Sequence, residues 1–104
     1  MMSEATMELE IQSKGLTAPR LTPADIDSVI HDAKYHVIPG TTVTVCCIVL
    51  ENGFTVIGTS ASASPANFDQ SIGRKIAFSN ARDKIWELEG YLLKQRLFEA
   101  EGTK

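Results

Sequence analysis

Two runs rich in β-branched residues, 42–50 and 54–59, flank the dipeptide Asn52-Gly53, and no other feature constrains the fold as much. Asn-Gly is the preferred pair for a two-residue type I′ hairpin turn, which needs positive φ at both positions. That turn predicts Leu50 opposite Thr55, Val49 opposite Val56, Ile48 opposite Ile57 and Cys47 opposite Gly58. One face of the ribbon then carries Cys46, Ile48, Leu50 and Ile57. The other carries Val43, Val45, Cys47, Val49, Phe54 and Val56. Both are apolar. A half-exposed ribbon alternates apolar with polar residues, and an isolated two-stranded ribbon is marginal in water. Helices of the same chain can cover one face. The other face and the free strand edges need further cover, and a second copy of the chain is the simplest source.

The sequences on either side read as helices. Thr22 is a good N-cap, Pro23 suits the first helical position, and Asp25 and Asp27 fall where the helix dipole favours negative charge. Ile26, Val29, Ile30 and Ala33 recur at helical spacing, which predicts a helix ending near Lys34 to His36, before Pro39-Gly40. After the hairpin, Ser64-Pro65 repeats the helix-start signature. Phe68, Ile72, Ile76, Ala81, Ile85, Leu88 and Leu92 then trace one stripe, with Trp86, Leu93 and Leu97 beside it. Gly73 and Gly90 are the points at which this long helix would break, kink or admit another backbone.

The fold class expected is α+β: an N-terminal helix, a β-hairpin and a long amphipathic C-terminal helix, assembled as a homo-oligomer of at least two copies. Residues 1–20 are expected to form a flexible arm, in which Met7, Leu9 and Ile11 alternate with polar residues as a short edge strand would. Residues 21–98 form the single domain, and 99–104 a frayed tail. At 104 residues there is room for one domain.

Composition narrows the function classes. Of the residues, 43% are hydrophobic and 22% charged, as in a soluble globular chain, and the net charge is −3 with a pI near 5.3. A dedicated nucleic-acid binder is normally basic, which places DNA binding last among the readings. Met1-Met2-Ser3-Glu4 shows no secretory pattern, and no apolar run reaches membrane-spanning length, so the expected location is the cytoplasm. Cys46 and Cys47 are adjacent and point to opposite faces of a strand. They read as two packed thiols rather than a disulfide or zinc site.

No catalytic constellation emerges. The serines of Thr59-Ser60-Ala61-Ser62-Ala63-Ser64 lack a neighbouring base, and the two histidines, His31 and His36, lie in or just after the first predicted helix. Asp27 and His31, four apart, read as a helix-surface pair before they read as metal ligands. Asp83 and Glu87 likewise read as a solvated face. No cofactor or metal is expected. Anion binding is better supported. Ser60, Ser64 and Asn67 supply polar groups at a helix start, where dipole and unpaired N–H groups favour phosphate, and Arg74, Lys75 and Arg82 follow on the same helix. The plainer reading makes Ser64 a simple cap and the cations partners in surface ion pairs.

These residues also carry a resemblance. Leu16-Thr17-Ala18-Pro19-Arg20 with Thr22-Pro23-Ala24-Asp25-Ile26, then Asn52-Gly53-Phe54-Thr55-Val56, Gly58-Thr59-Ser60-Ala61, Ser64-Pro65-Ala66-Asn67-Phe68-Asp69, Ile72-Gly73-Arg74-Lys75-Ile76-Ala77, and Lys84-Ile85-Trp86 through Gly90-Tyr91-Leu92-Leu93 resemble the gene product 49 family of small proteins from tailed bacteriophages and prophages. The likeness covers roughly residues 15–97. Many relatives carry a cysteine where this chain has Ser62, so a thiol role there does not transfer. The resemblance implies a phage or prophage origin and expression in a bacterial cytoplasm, and no settled activity; with no catalytic constellation in the residues, the expected role is that of a non-catalytic accessory protein. Counter-defence is one such role, by sequestering a small phosphorylated nucleotide-type signal; binding a host or phage protein is the alternative.

Overall fold

The computed structural model describes residues 3–16 and 18–102. Helix α1 spans Glu4–Ser13, α2 Pro23–Ser28, strand β1 Ile30–Val37, β2 Val43–Leu50, β3 Thr55–Ala61, and α3 Gln70–Gly102, with a short 3-10 turn at Pro65–Asn67. The strands form one antiparallel sheet in the order β1-β2-β3. The α+β class stands, with a three-stranded sheet where a two-stranded hairpin was expected.

The first predicted helix is cut short. Its start is as read: Thr22 Oγ1 accepts from Asp25 N, and Asp25 Oδ2 accepts from Thr22 N, a reciprocal capping box with Pro23 inside it. It stops at Ser28 because Ile30 pairs with Leu50 and Glu51 N donates to Val29 O, so the chain joins the sheet. From Asp32 to Val37 a period of two replaces the helical period. Ala33, Tyr35 and Val37 lie on the helix-facing side with Ile48, Cys46 and Thr44, whereas Asp32, Lys34 and His36 lie on the other with Val49, Cys47 and Val45. A bulge at His31 sets this phase.

The hairpin register also differs by one residue. Leu50 N donates to Phe54 O, and Val49 pairs with Thr55, Ile48 with Val56, Cys47 with Ile57 and Cys46 with Gly58. The loop is therefore Glu51-Asn52-Gly53. Gly53 alone of the three has positive φ, so the two-residue type I′ turn is replaced by a three-residue loop ending on a left-handed glycine. A one-residue slip exchanges the faces of a strand. Val56 turns into the core and Ile57 out to the surface, where it is 42% exposed.

Helix α3 lies across the inner face of the sheet. Ile26, Cys46, Ile48, Leu50, Val56, Ala77, Ala81 and Ile85 form the core, flanked by Leu21, Phe78, Trp86 and Leu88. The closest approach is at Gly58, where a Cβ would collide with the backbone of Ala77 and Ala81. The long helix does not start at Ser64-Pro65, which opens only the 3-10 turn. It starts after Asp69, whose Oδ1 accepts from Ile72 N. It then runs unbroken through Gly73 and Gly90 and continues across the expected tail to Gly102. The rest of that tail, 103–104, lies outside the described residues.

The 1–20 segment holds α1, not an edge strand. Ser3 Oγ caps it by accepting from Thr6 N, and side chains tie it down: Arg20 grips both carboxylate oxygens of Glu8, at 2.8 and 2.9 Å. Met1, Met2 and Thr17 of the same segment lie outside the described residues.

Candidate functional site

The fold divides the six side chains expected around an anion: Ser60 lies with Asn67, Arg74 lies with Lys75, and Ser64 and Arg82 make other contacts. Ser60 Oγ donates to Gly73 O at 2.6 Å, stitching β3 to the first turn of α3. Ser64 makes no side-chain cap; its carbonyl accepts from Ser62 Oγ and from Asn67 N. Ser60 and Asn67 line a small hollow with Ile72, Gly73 and Asp69. Asp69 occupies the N-terminus of α3, so the positive end of the dipole is already met by a carboxylate of the chain.

Arg82 serves the scaffold. Its side chain is 13% exposed, Nε donates to Asp27 Oδ1 and Nη1 to Glu4 Oε1, each at 2.8 Å, and Nη2 reaches Pro23 O. Burial works against its charge, yet the hydrogen bonds it donates to Asp27 and Glu4, reinforced by their charges, raise its pKa above the ordinary guanidinium value. One residue thereby pins α1 and α2 to α3. The engagement of Asp27 here also separates it from His31, whose Nδ1 faces Glu51 Oε2 at 3.6 Å.

Arg74 and Lys75 remain at the surface. The Arg74 guanidinium sits over the Tyr35 ring, 5.4 Å from its centroid, and both cations share an open hollow with Tyr35 and Phe78. Beneath Tyr35, burial pushes the Cys46 thiol above its ordinary pKa, which keeps it neutral and unreactive. Among the described residues, no three His, Cys, Asp or Glu side chains gather closely enough to hold a metal, and no helix is long and apolar enough to cross a membrane.

Sequence reasoning missed a larger feature. The 33 residues of α3 span about 50 Å, against about 26 Å for an eight-residue strand, so the helix overhangs the sheet. Beyond Leu88 its apolar residues outrun the core: Tyr91 is 70% exposed and Phe98 61%, with Leu92 and Leu97 also exposed. An open groove of about 590 Å³ runs between this distal part and the hairpin end, lined by Val29, Leu50, Phe54, Leu88, Tyr91 and Leu92. The signal is present as the two apolar stripes of α3, but which part of the helix lies over the sheet is set by tertiary packing, not by the stripes.

The strand edges are better covered than expected. β1 pairs one side of the hairpin. On the other, Asn80 Nδ2 donates to Thr59 O and Lys84 Nζ to Ile57 O, so α3 side chains engage carbonyls of the β3 edge. The outer face keeps an apolar strip of Val43, Val45, Cys47, Val49 and Ile57, bordered by Lys34, His36, Thr55 and Thr59.

A sheet of three antiparallel strands backed by one long helix places the chain among small two-layer α+β proteins. Over residues 21–97 it matches the phage protein (N4 Gp49/phage Sf6 gene 66) family, and it belongs to that family. No curated protein and no solved structure matches the chain.

Proposed function

We propose that this chain is a phage accessory protein acting as a non-catalytic, homo-oligomeric binding module in the cytoplasm of the infected bacterium, where it counters host defence by holding a host factor. The overhang of α3 supports the homo-oligomeric part of this reading, and membership of the phage protein family its phage setting. A helix apolar beyond the core of its own chain is stabilised by packing against another chain, and the outer strip of β2 adds a second uncovered apolar surface. Sedimentation equilibrium of the full chain tests the assembly: a mass that rises to a multiple of 11.3 kDa with concentration supports it, and a monomer throughout sinks it.

A second reading keeps a small phosphorylated ligand, and the hollow of Arg74, Lys75, Tyr35 and Phe78 favours it, because it sets two cations beside two aromatic rings. Isothermal titration with cyclic dinucleotides and ADP-ribose-type compounds tests it. Heat lost in Arg74→Ala supports the hollow as the site, and no heat from any of them removes this version.

A further inference from the structure

Five glycines have reasons inside the chain. Gly15, Gly40 and Gly53 take positive φ, the last at the hairpin turn, and Gly58 and Gly73 let α3 approach the sheet. Gly90 has no such reason. It sits within α3, its φ is not positive, and a Cβ there would meet nothing within 4 Å. Glycine in a helix interior is destabilising relative to alanine. Its place points outward: Trp86, Gly90, Leu93 and Leu97 follow one another at helical spacings of four, three and four, so they form one stripe with a notch in it.

We propose that the distal half of α3 pairs antiparallel with the same segment of a second copy, about a two-fold axis passing between Tyr91 and Leu92. This rests on the oligomer proposed above and names its interface. In that register Trp86 lies opposite the partner copy's Leu97, and Gly90 opposite its Leu93, so each leucine enters the other copy's glycine notch. The contact is self-complementary, as a two-fold interface requires.

The charges agree independently. Glu89 and Arg96, seven residues apart, lie on one flank of the stripe; Glu87 and Lys94, also seven apart, lie on the other. A two-fold axis brings like flanks together with the helices reversed. Each Glu89 then approaches the opposing Arg96, and each Glu87 the opposing Lys94, giving four ion pairs. Within the chain none of these four side chains forms a hydrogen bond or ion pair among the described residues. A parallel pairing would set glutamate against glutamate and offers no such match.

Sedimentation equilibrium of the full chain and three variants tests this. Gly90→Leu fills the notch while favouring the helix, and Arg96→Glu makes one flank wholly acidic. Each is expected to raise the dimer Kd by about tenfold or more, while the swap Glu89→Arg with Arg96→Glu restores it to within about threefold. Far-UV circular dichroism confirms that each variant keeps its helix. If wild type associates and all three variants match it, the assembly uses another surface and the α3 pairing is overturned while the oligomer survives. A wild-type chain monomeric up to about 1 mM overturns both.

Discussion

Replacing Gly58 by alanine adds one methyl group at the tightest point of the molecule. The new Cβ would collide with the Ala81 nitrogen and the Ala77 oxygen and lie 2.8 Å from the Ala81 Cα. All three are backbone atoms of α3, so no side-chain rotation relieves the clash, and the helix must lift from the sheet. Ala77, Ala81 and Ile85 are fully buried at this contact, and their packing loosens together. Overpacking a core costs about 1–3 kcal/mol, and the rigid neighbour puts this case near about 3 kcal/mol. Against a total stability of about 5–15 kcal/mol, that is a large share. Urea unfolding followed by Trp86 fluorescence at one fixed protein concentration reads it as a fall in midpoint of roughly 1–3 M. Ala81→Gly in the same background is expected not to rescue, because the collision is with backbone rather than with the alanine methyl. A Gly58→Ala midpoint equal to wild type, or full rescue by Ala81→Gly, would refute the backbone contact.

Further outcomes follow from other parts of the structure. Thr44→Val should be neutral or stabilising by up to about 1 kcal/mol by urea unfolding, because Thr44 Oγ1 is buried and has no hydrogen-bond partner among the described residues. Asp69→Ala should cost about 1 kcal/mol in the same assay, through loss of the α3 N-cap. Burial raises the pKa of both Cys46 and Tyr35, so the folded state holds their protons more tightly than the unfolded state does. Stability is therefore level below the ordinary thiol value of 9.0 and falls as pH rises beyond it, a fall that Cys46→Ala should lessen. Thiol labelling at pH 8 should modify Cys47, on the outer face, well before the buried Cys46.

How far these features could be read without coordinates varies with the range of the interactions behind them. Local capping was legible: Thr22, Pro23 and Asp25 start α2 where their chemistry says. The strand that follows was not, because Ile26, Val29, Ile30 and Ala33 satisfy a helical period by coincidence, while Asp32, Lys34 and His36 alternate with Ala33, Tyr35 and Val37 over only six residues. Asn52-Gly53 correctly marked a turn but implied the shorter loop, and a single residue of slip sent Val56 inward and Ile57 outward. Among the candidate ligand residues, Arg82 shows the limit plainly. Its partners Asp27 and Glu4 lie 55 and 78 residues away, so nothing near it in sequence showed that its charge was already engaged. Asp69 caps α3, but Ser64-Pro65 five residues earlier carries the same start signature, and only the 3-10 turn between them decides which one opens the helix.

The central claim is that the distal half of α3 is held by another chain, and hydrogen exchange at the amides of residues 92–98 tests it most directly. In an isolated overhanging helix these amides fray and exchange quickly, whereas packing against a partner protects them. The account predicts protection that grows with protein concentration and is lost in Gly90→Leu. Fast exchange at every concentration, beside a well-protected core at Ala77, Ala81 and Ile85, would contradict it.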